Sequence, residues 1–120
     1  MKSKLRNINV KQIDFKYLIN EKYQKENNGY WLTTLRVFKV GFKNTPLEIK
    51  FESLDGYTIG NTLTSGLDEL NLHKPNVIRK IIENGLNRKW NWINSKLEIP
   101  NGLELLEEIG YNIENMKLNH

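Results

Sequence analysis

Apolar and polar residues alternate along much of the first half of the chain, which is the pattern of a half-buried β-strand. The clearest alternations cover residues 13–19 and 47–52, and a shorter one covers residues 8–10. Residues 31–40 are rich in β-branched and aromatic side chains and have apolar residues on both faces, which predicts a central strand. Four consecutive strands with short connections predict an antiparallel β-meander over roughly residues 5–52.

Turn-forming residues separate the predicted strands. The polar run 24–29 ends in Asn-Gly, a strong hairpin signal between the second and third strands. The run Lys43-Asn44-Thr45-Pro46 predicts the turn between the third and fourth strands. Asp55-Gly56 marks the exit from the sheet, and residues 57–72 indicate a packed loop with a helical turn.

The second half of the chain changes to helical spacing. Residues 75–85 predict a helix, because Pro75 suits a first helical turn and the apolar residues behind it fall at one-four-five spacing. Asn84-Gly85 predicts the end of this helix, with Leu86 folding back in a Schellman-type closure. A short extended piece is predicted over Lys96–Ile99.

A second helix is predicted over residues 102–109. Asn101, followed three residues later by Glu104, forms a start that resembles a capping box, and Gly110 ends the helix. The tail, residues 112–120, is polar. No repeat or linker interrupts the chain, so residues 1–120 predict one α+β domain in which a four-stranded antiparallel meander packs with two C-terminal helices.

Composition narrows the classes of protein to consider. The absence of cysteine excludes disulfides, thiolate catalysis and cysteine-ligated metals. No apolar run reaches the length of a signal peptide or a membrane helix, which favours a cytoplasmic protein that does not contact a membrane. A net charge of +4 permits binding to nucleic acid or to an acidic protein and specifies neither.

Motifs of known chemistry are scarce. His73 lies just before a predicted helix and His120 is the last residue, so the two histidines predict neither a metal pair nor a general base. No nucleophile elbow, Walker loop or dinucleotide fingerprint occurs, so we expect no cofactor and do not favour an enzyme. Glu48-Ile49-Lys50 fits the acid-x-Lys arrangement of metal-dependent nucleases if Asp14 converges on it, which leaves that activity as a remote alternative.

The segment Arg88-Lys89-Trp90-Asn91-Trp92 interleaves cations with aromatic rings. It could form a patch that stacks on bases and grips phosphates. Trp is highly buried on average, however, and apolar residues bracket the segment, so core packing is the favoured interpretation for at least one of the two tryptophans.

The run from Lys74 to Leu86, followed by Lys89-Trp90, resembles a segment of small uncharacterised bacterial proteins. In those proteins a helix that begins at Pro ends in Gly-Leu and leads to a basic residue, a Trp and a short strand. Some of them are immunity-type proteins encoded beside toxins or defence systems. The resemblance implies that Trp90 belongs to the core between helix and sheet. This chain departs from the resemblance at one position: Lys89 stands directly before the Trp, where a glycine is expected.

These observations favour a non-enzymatic protein–protein interaction module of immunity or accessory type that binds and occludes a partner protein. Its predicted contact residues are aromatic side chains near loops, namely Tyr23, Tyr30, Trp31, Tyr57 and Trp92. The alternative is nucleic-acid binding through Trp92 and the cations Lys4, Arg6, Arg79, Lys80, Arg88 and Lys89. The oligomeric state is open, because the edge strands of a meander can also pair two copies.

Overall fold

The computed structural model describes residues 5–25, 29–53 and 75–110, and its elements form an α+β fold. The strands are β1 (Arg6–Val10), β2 (Ile13–Gln24), β3 (Tyr30–Lys39), β4 (Phe42–Ser53) and β5 (Leu97–Ile99), and the helices are α1 (Pro75–Asn87) and α2 (Gly102–Glu108). The sheet has the order β1-β2-β3-β4-β5, so the antiparallel meander is confirmed and β3 is its central strand. The predicted loop over residues 57–72 lies outside the described residues.

The sheet has a fifth strand, which corrects the prediction of four. The extended piece predicted over Lys96–Ile99 forms β5, which pairs parallel to β4 with Leu97 opposite Leu47. A parallel pair needs a crossover connection, and α1 lies in the connection from β4 to β5. Three residues are too few for their alternation to predict a sheet partner.

The turn predicted at residues 43–46 is wrong. The chain reverses at Val40-Gly41, where Gly41 has a φ of 93°, and residues 43–46 lie within β4. Between the pairs Val37–Leu47 and Lys39–Phe42 these residues oppose the single residue Phe38, so they form a bulge in the β3–β4 ladder. Pro46 has no backbone N–H to donate to the hydrogen bonds between strands. The turn-like run that contains it is therefore accommodated as a bulge.

The core lies between one face of the sheet, here called the inner face, and the two helices. Phe15, Leu35 and Ile49 are fully buried on the inner face, and α1 buries the apolar stripe predicted for it. The α1 helix crosses the strands: Arg79 Nη2 donates to the carbonyl of Asn9 on β1 at 3.4 Å, and Gly85 lies against Leu47 on β4.

The end of α1 also differs from the prediction. The helix continues through Asn84-Gly85 to Asn87, and its closure involves Lys89 and Trp90. The Trp90 amide donates to the Gly85 carbonyl and the Lys89 amide to the Leu86 carbonyl, both at 3.0 Å, which is a Schellman motif. Lys89 therefore occupies the left-handed position, with a φ of 68°.

We expect Lys89→Gly to stabilise the protein. Side chains other than Gly and Asn adopt the left-handed conformation at a cost, so the substitution should raise the free energy of unfolding by about 1 kcal/mol. Urea unfolding followed by circular dichroism measures the change. Lys80→Gly, at an exposed interior position of α1, is the control and should lower stability by about 1 kcal/mol. A loss of stability in both variants would contradict the assignment of the motif.

The α2 helix begins as predicted. Asn101 Oδ1 accepts a hydrogen bond from the Glu104 amide at 3.3 Å, and Asn101 Nδ2 donates to Glu104 Oε2 at 3.0 Å. The first bond is that of a capping box, whereas in the second Glu104 accepts from the side-chain amide of Asn101 and not from its backbone N–H. The start therefore resembles a capping box, as predicted. Gly102 in the first turn of α2 lies against Ile49 and Phe51, so α2 packs on β4 directly after the chain leaves β5.

Candidate partner-binding site

The outer face of the sheet points away from both helices. Alternation along the strands places charged and apolar side chains on it in rows that cross β2, β3 and β4. One row is Leu18, Arg36 and Glu48, the next is Asn20, Thr34 and Lys50, and the third is Lys22, Leu32 and Glu52. Leu18 and Leu32, together with Phe38 on the same face, are half-buried.

A shallow depression lies on the outer face. Its volume is about 280 Å³, and it is lined by Asn20, Lys22, Gln24, Leu32, Thr34, Arg36, Glu48 and Lys50. Arg36 and Glu48 form an ion pair within it, in which Arg36 Nε donates to Glu48 Oε2 at 2.9 Å. Because the Arg36 side chain is 45% exposed, the pair contributes little to stability. It fixes the orientation of two charges at the centre of the face.

The carboxylates required by the nuclease alternative lie apart. Leu18 is the residue of β2 that lies in line with Glu48 across the sheet. Asp14 precedes Leu18 by four residues, so it lies about 13 Å away along the strand. Asp14 Oδ1 accepts a hydrogen bond from Asn9 Nδ2 at 2.8 Å, whereas Glu48 pairs with Arg36. Within residues 5–25, 29–53 and 75–110, no three His, Cys, Asp or Glu residues are grouped so as to hold a metal ion.

The aromatic residues predicted to contact a partner lie at two ends of the sheet. Tyr23 and Trp31 are opposite one another at the β2–β3 end, with ring centroids 5.4 Å apart in an edge-to-face contact. Tyr30 neighbours them in β3. Trp92 lies near the opposite end of the sheet, and Tyr57 lies outside the described residues. The predicted residues therefore do not form one patch.

At the end that holds Trp92, one lysine lies over two rings. Trp92 contacts Phe42 edge-to-face with centroids 5.3 Å apart, and Lys39 Nζ lies 5.4 Å from the Trp92 centroid and 5.7 Å from that of Phe42. These distances fit cation–π contacts. The turns at Lys11-Gln12 and Val40-Gly41 share this end, because the Val40 amide donates to the Asp14 carbonyl at 3.0 Å.

The two turns contain or adjoin Lys11, Lys39, Phe42 and Lys43, and Lys89 directly precedes Trp90, which is hydrogen-bonded to Thr45 in the bulge beside Lys43. We call this region the lysine–aromatic end and define it as Lys11, Lys39, Phe42, Lys43, Lys89 and Trp92. Trp90 and the bulge in β4 hold it in place. Trp90 Nε1 donates to the Thr45 carbonyl at 3.0 Å, and Thr45 Oγ1 donates to the Trp92 carbonyl. Trp90 is only 4% exposed and packs against Phe15 with its ring tilted, which confirms that it belongs to the core, whereas Trp92 is half-buried.

The predicted basic residues are dispersed. Lys4 lies outside the described residues, Arg6 begins β1, and Arg79 and Lys80 lie in the first half of α1. Arg88 forms an ion pair with Glu108 of α2. Of the predicted cations, Lys89 alone belongs to the lysine–aromatic end. Lys39 and Phe42 are not among the predicted residues, because their pairing depends on the reversal at Val40-Gly41.

One ionisable group on the inner face is perturbed. Burial raises the pKa of the Tyr17 phenol, and the nearby charge of Arg6 partly opposes the shift. The hydroxyl therefore stays protonated at neutral pH. Neither described helix is long and apolar enough to cross a membrane. Comparison of the chain with protein-family models, curated proteins and solved structures finds no match.

Proposed function

We propose that this protein is a non-enzymatic module that binds a partner protein through the outer face of its sheet. The proposal depends on one observation: the described helices both cover the inner face, and the outer face carries half-buried Leu18, Leu32 and Phe38 among charged side chains. Apolar anchors surrounded by a charged rim are the usual composition of a protein–protein interface.

The dimensions of the outer face support this proposal. The three long strands, β2 to β4, have 10 or 12 residues each. Their length and the five-strand width give a face of about 35 Å by about 20 Å, or roughly 700 Å². A partner in a standard-size complex contributes about 800 Å², so the face is close in size to one side of a specific interface. A depression this shallow would leave most of a small ligand in water.

We also propose that the module is of the bacterial immunity or accessory type. The resemblance of the Lys74–Trp90 segment to such proteins supports this assignment, and Trp90 occupies the core position that the resemblance implies. A protein of this type acts by occlusion, so the outer face would cover a functional surface of the partner.

Leu32→Glu tests the outer face, because Leu32 lies on the central strand β3 between Lys22 and Glu52. We expect affinity-tagged wild-type protein to capture a partner from lysate of the source organism. Leu32→Glu should weaken its affinity at least about tenfold, the effect of losing about 1.4 kcal/mol at a central apolar contact. Calorimetry with the purified partner measures the loss.

The matched control is Asn87→Glu, which adds the same charge at an exposed position of α1. This variant should bind the partner as the wild type does. Thermal melts of both variants establish that they fold. Equal partner affinity for wild type and folded Leu32→Glu would refute the outer face as the binding surface.

A further inference from the structure

Positive charge is concentrated at the lysine–aromatic end, which has four lysines. Arg36, Arg88 and Lys96 each form an ion pair with a glutamate. In the described part of the chain, no ion pair involves the lysines of this end, which are Lys11, Lys39, Lys43 and Lys89. Four positive charges and the carboxylate of Asp14 therefore share one end of the sheet, and the net positive charge attracts anions.

Backbone conformation distinguishes the same end. Among the described residues, the non-glycine residues with positive φ are Lys11 at 51°, Gln12 at 66° and Lys89 at 68°, and all three lie here. Gly and Asn tolerate this conformation best, and the chain contains seventeen Asn. Lysine at two such positions keeps a charge there at the expense of stability. Lys11 and Gln12 form the two-residue turn of the β1–β2 hairpin, which has positive φ at both positions, and Lys89 occupies the left-handed position of the Schellman motif. The unusual feature is therefore the choice of lysine at these positions.

Lys39 is held in a defined place. Its ammonium donates to the Val40 carbonyl at 3.2 Å and lies over both Phe42 and Trp92. An ammonium has three donors, so two remain for a ligand. The rings of Phe42 and Trp92 are half-buried, and Ile93 beside them is 55% exposed. A fixed cation therefore adjoins exposed apolar surface.

We propose that the lysine–aromatic end binds single-stranded nucleic acid, with the lysines contacting phosphates and the aromatic and aliphatic side chains contacting bases. Sites without sequence preference combine a positively charged surface with aromatic side chains in this way. A nucleic-acid strand supplies regularly spaced negative charges and apolar base faces together. This surface is separate from the outer face of the sheet, so the protein could hold a partner protein and a strand at once.

Fluorescence anisotropy of labelled dT20 tests the proposal with the full chain. Each phosphate contact on a single strand contributes about 0.7 to the slope of log affinity against log salt. Four lysine contacts predict a slope near −3, so affinity should fall about 50-fold between 50 and 200 mM NaCl. No binding at ~50 mM NaCl would overturn the proposal.

The paired substitution Lys39→Gln and Lys43→Gln should halve the slope, leaving a fall of about sevenfold over the same salt range. The charge-matched control is Lys22→Gln with Lys50→Gln on the outer face, which should leave the slope unchanged. Lys89→Gly should weaken dT20 binding while it stabilises the fold. If Lys39→Gln lowers the melting temperature, Lys11→Gln with Lys43→Gln takes its place.

Two further probes separate nucleic acid from other polyanions. Poly-glutamate and phosphatidylserine vesicles should bind more weakly than dT20 at equal salt. Tighter binding of poly-glutamate would assign the end to an acidic protein, and tighter binding of vesicles would assign it to a membrane surface; either result overturns the proposal. Equal slopes for the Lys39/Lys43 pair and the Lys22/Lys50 pair would do the same. None of these results depends on the partner protein of the outer face.

Discussion

Trp90→Ala is expected to lower the free energy of unfolding by about 3–5 kcal/mol, the range for removing a large buried aromatic side chain. Trp90 is 4% exposed, its ring centroid lies 5.7 Å from that of Phe15, and its indole donates to the Thr45 carbonyl at 3.0 Å. Domains of this size are stable by about 5–15 kcal/mol, so the variant should be close to unfolding at physiological temperature. Urea denaturation measures the loss.

Two variants divide the contribution of Trp90 into its parts. Trp90→Phe keeps most of the packing and loses the hydrogen bond to Thr45, so we expect a loss of about 1–2 kcal/mol. Trp92→Ala removes a ring that is only half-buried and should also cost less than Trp90→Ala. A larger loss for Trp92→Ala than for Trp90→Ala would mean that the two tryptophans have been assigned the wrong roles.

Gly102→Val should destabilise the protein by about 3 kcal/mol, at the upper end of the range for overpacking. Gly102 is buried in the first turn of α2, where an added Cβ would meet the ring of Phe51 and lie 2.8 Å from Ile49 Cγ2. Both neighbours are fully buried, so neither can move into solvent. The side chain would instead push α2 away from β4, and a melting curve would show the lower midpoint.

Glu107→Val is the control, because it places the same side chain on the exposed surface of the same helix. Its effect should stay within about 0.5 kcal/mol. Similar losses for the two variants would show that valine is tolerated poorly anywhere in α2, and the close approach of Gly102 to β4 would not be the cause.

Local pattern predicts most of this fold. The alternation over residues 13–19 and 47–52 specifies which side chains face the core, because a shift of one residue would expose all of them. Pro75 and Gly110 mark helix ends through their backbone conformation and Asn101 through its side chain, and the structure agrees with each. These features depend on residues close together in the chain.

The errors arise where a distant contact overrides a local preference. The run at residues 43–46 has the composition of a turn, but hydrogen bonds from Trp90 and to the Trp92 carbonyl hold it as a bulge. Asn84-Gly85 has the composition of a helix end, but Gly85 lies against Leu47, where no larger residue fits. In both cases a partner more than 30 residues away determines the structure.

The candidate sites were harder to predict than the fold. Lys39, Phe42 and Trp92 converge only after the reversal at Val40-Gly41 is known, and no spacing in the sequence indicates it. The outer face could be foreseen as a set of alternating side chains. Its rows, such as Leu18, Arg36 and Glu48, required the register between strands.

The parallel pairing of β5 with β4 has a consequence for the order of folding. Strands β1 to β4 join through hairpins, whereas Leu97 must find Leu47 across 50 residues of chain. Closing so long a loop is entropically costly, so contacts that are distant in sequence form late. Until α1 has docked, the backbone of β4 that β5 will cover remains an open edge. We therefore expect the newly synthesised chain to pass through a stage in which this strand can pair with another molecule, and amide hydrogens of β5 should be the last in the sheet to gain protection.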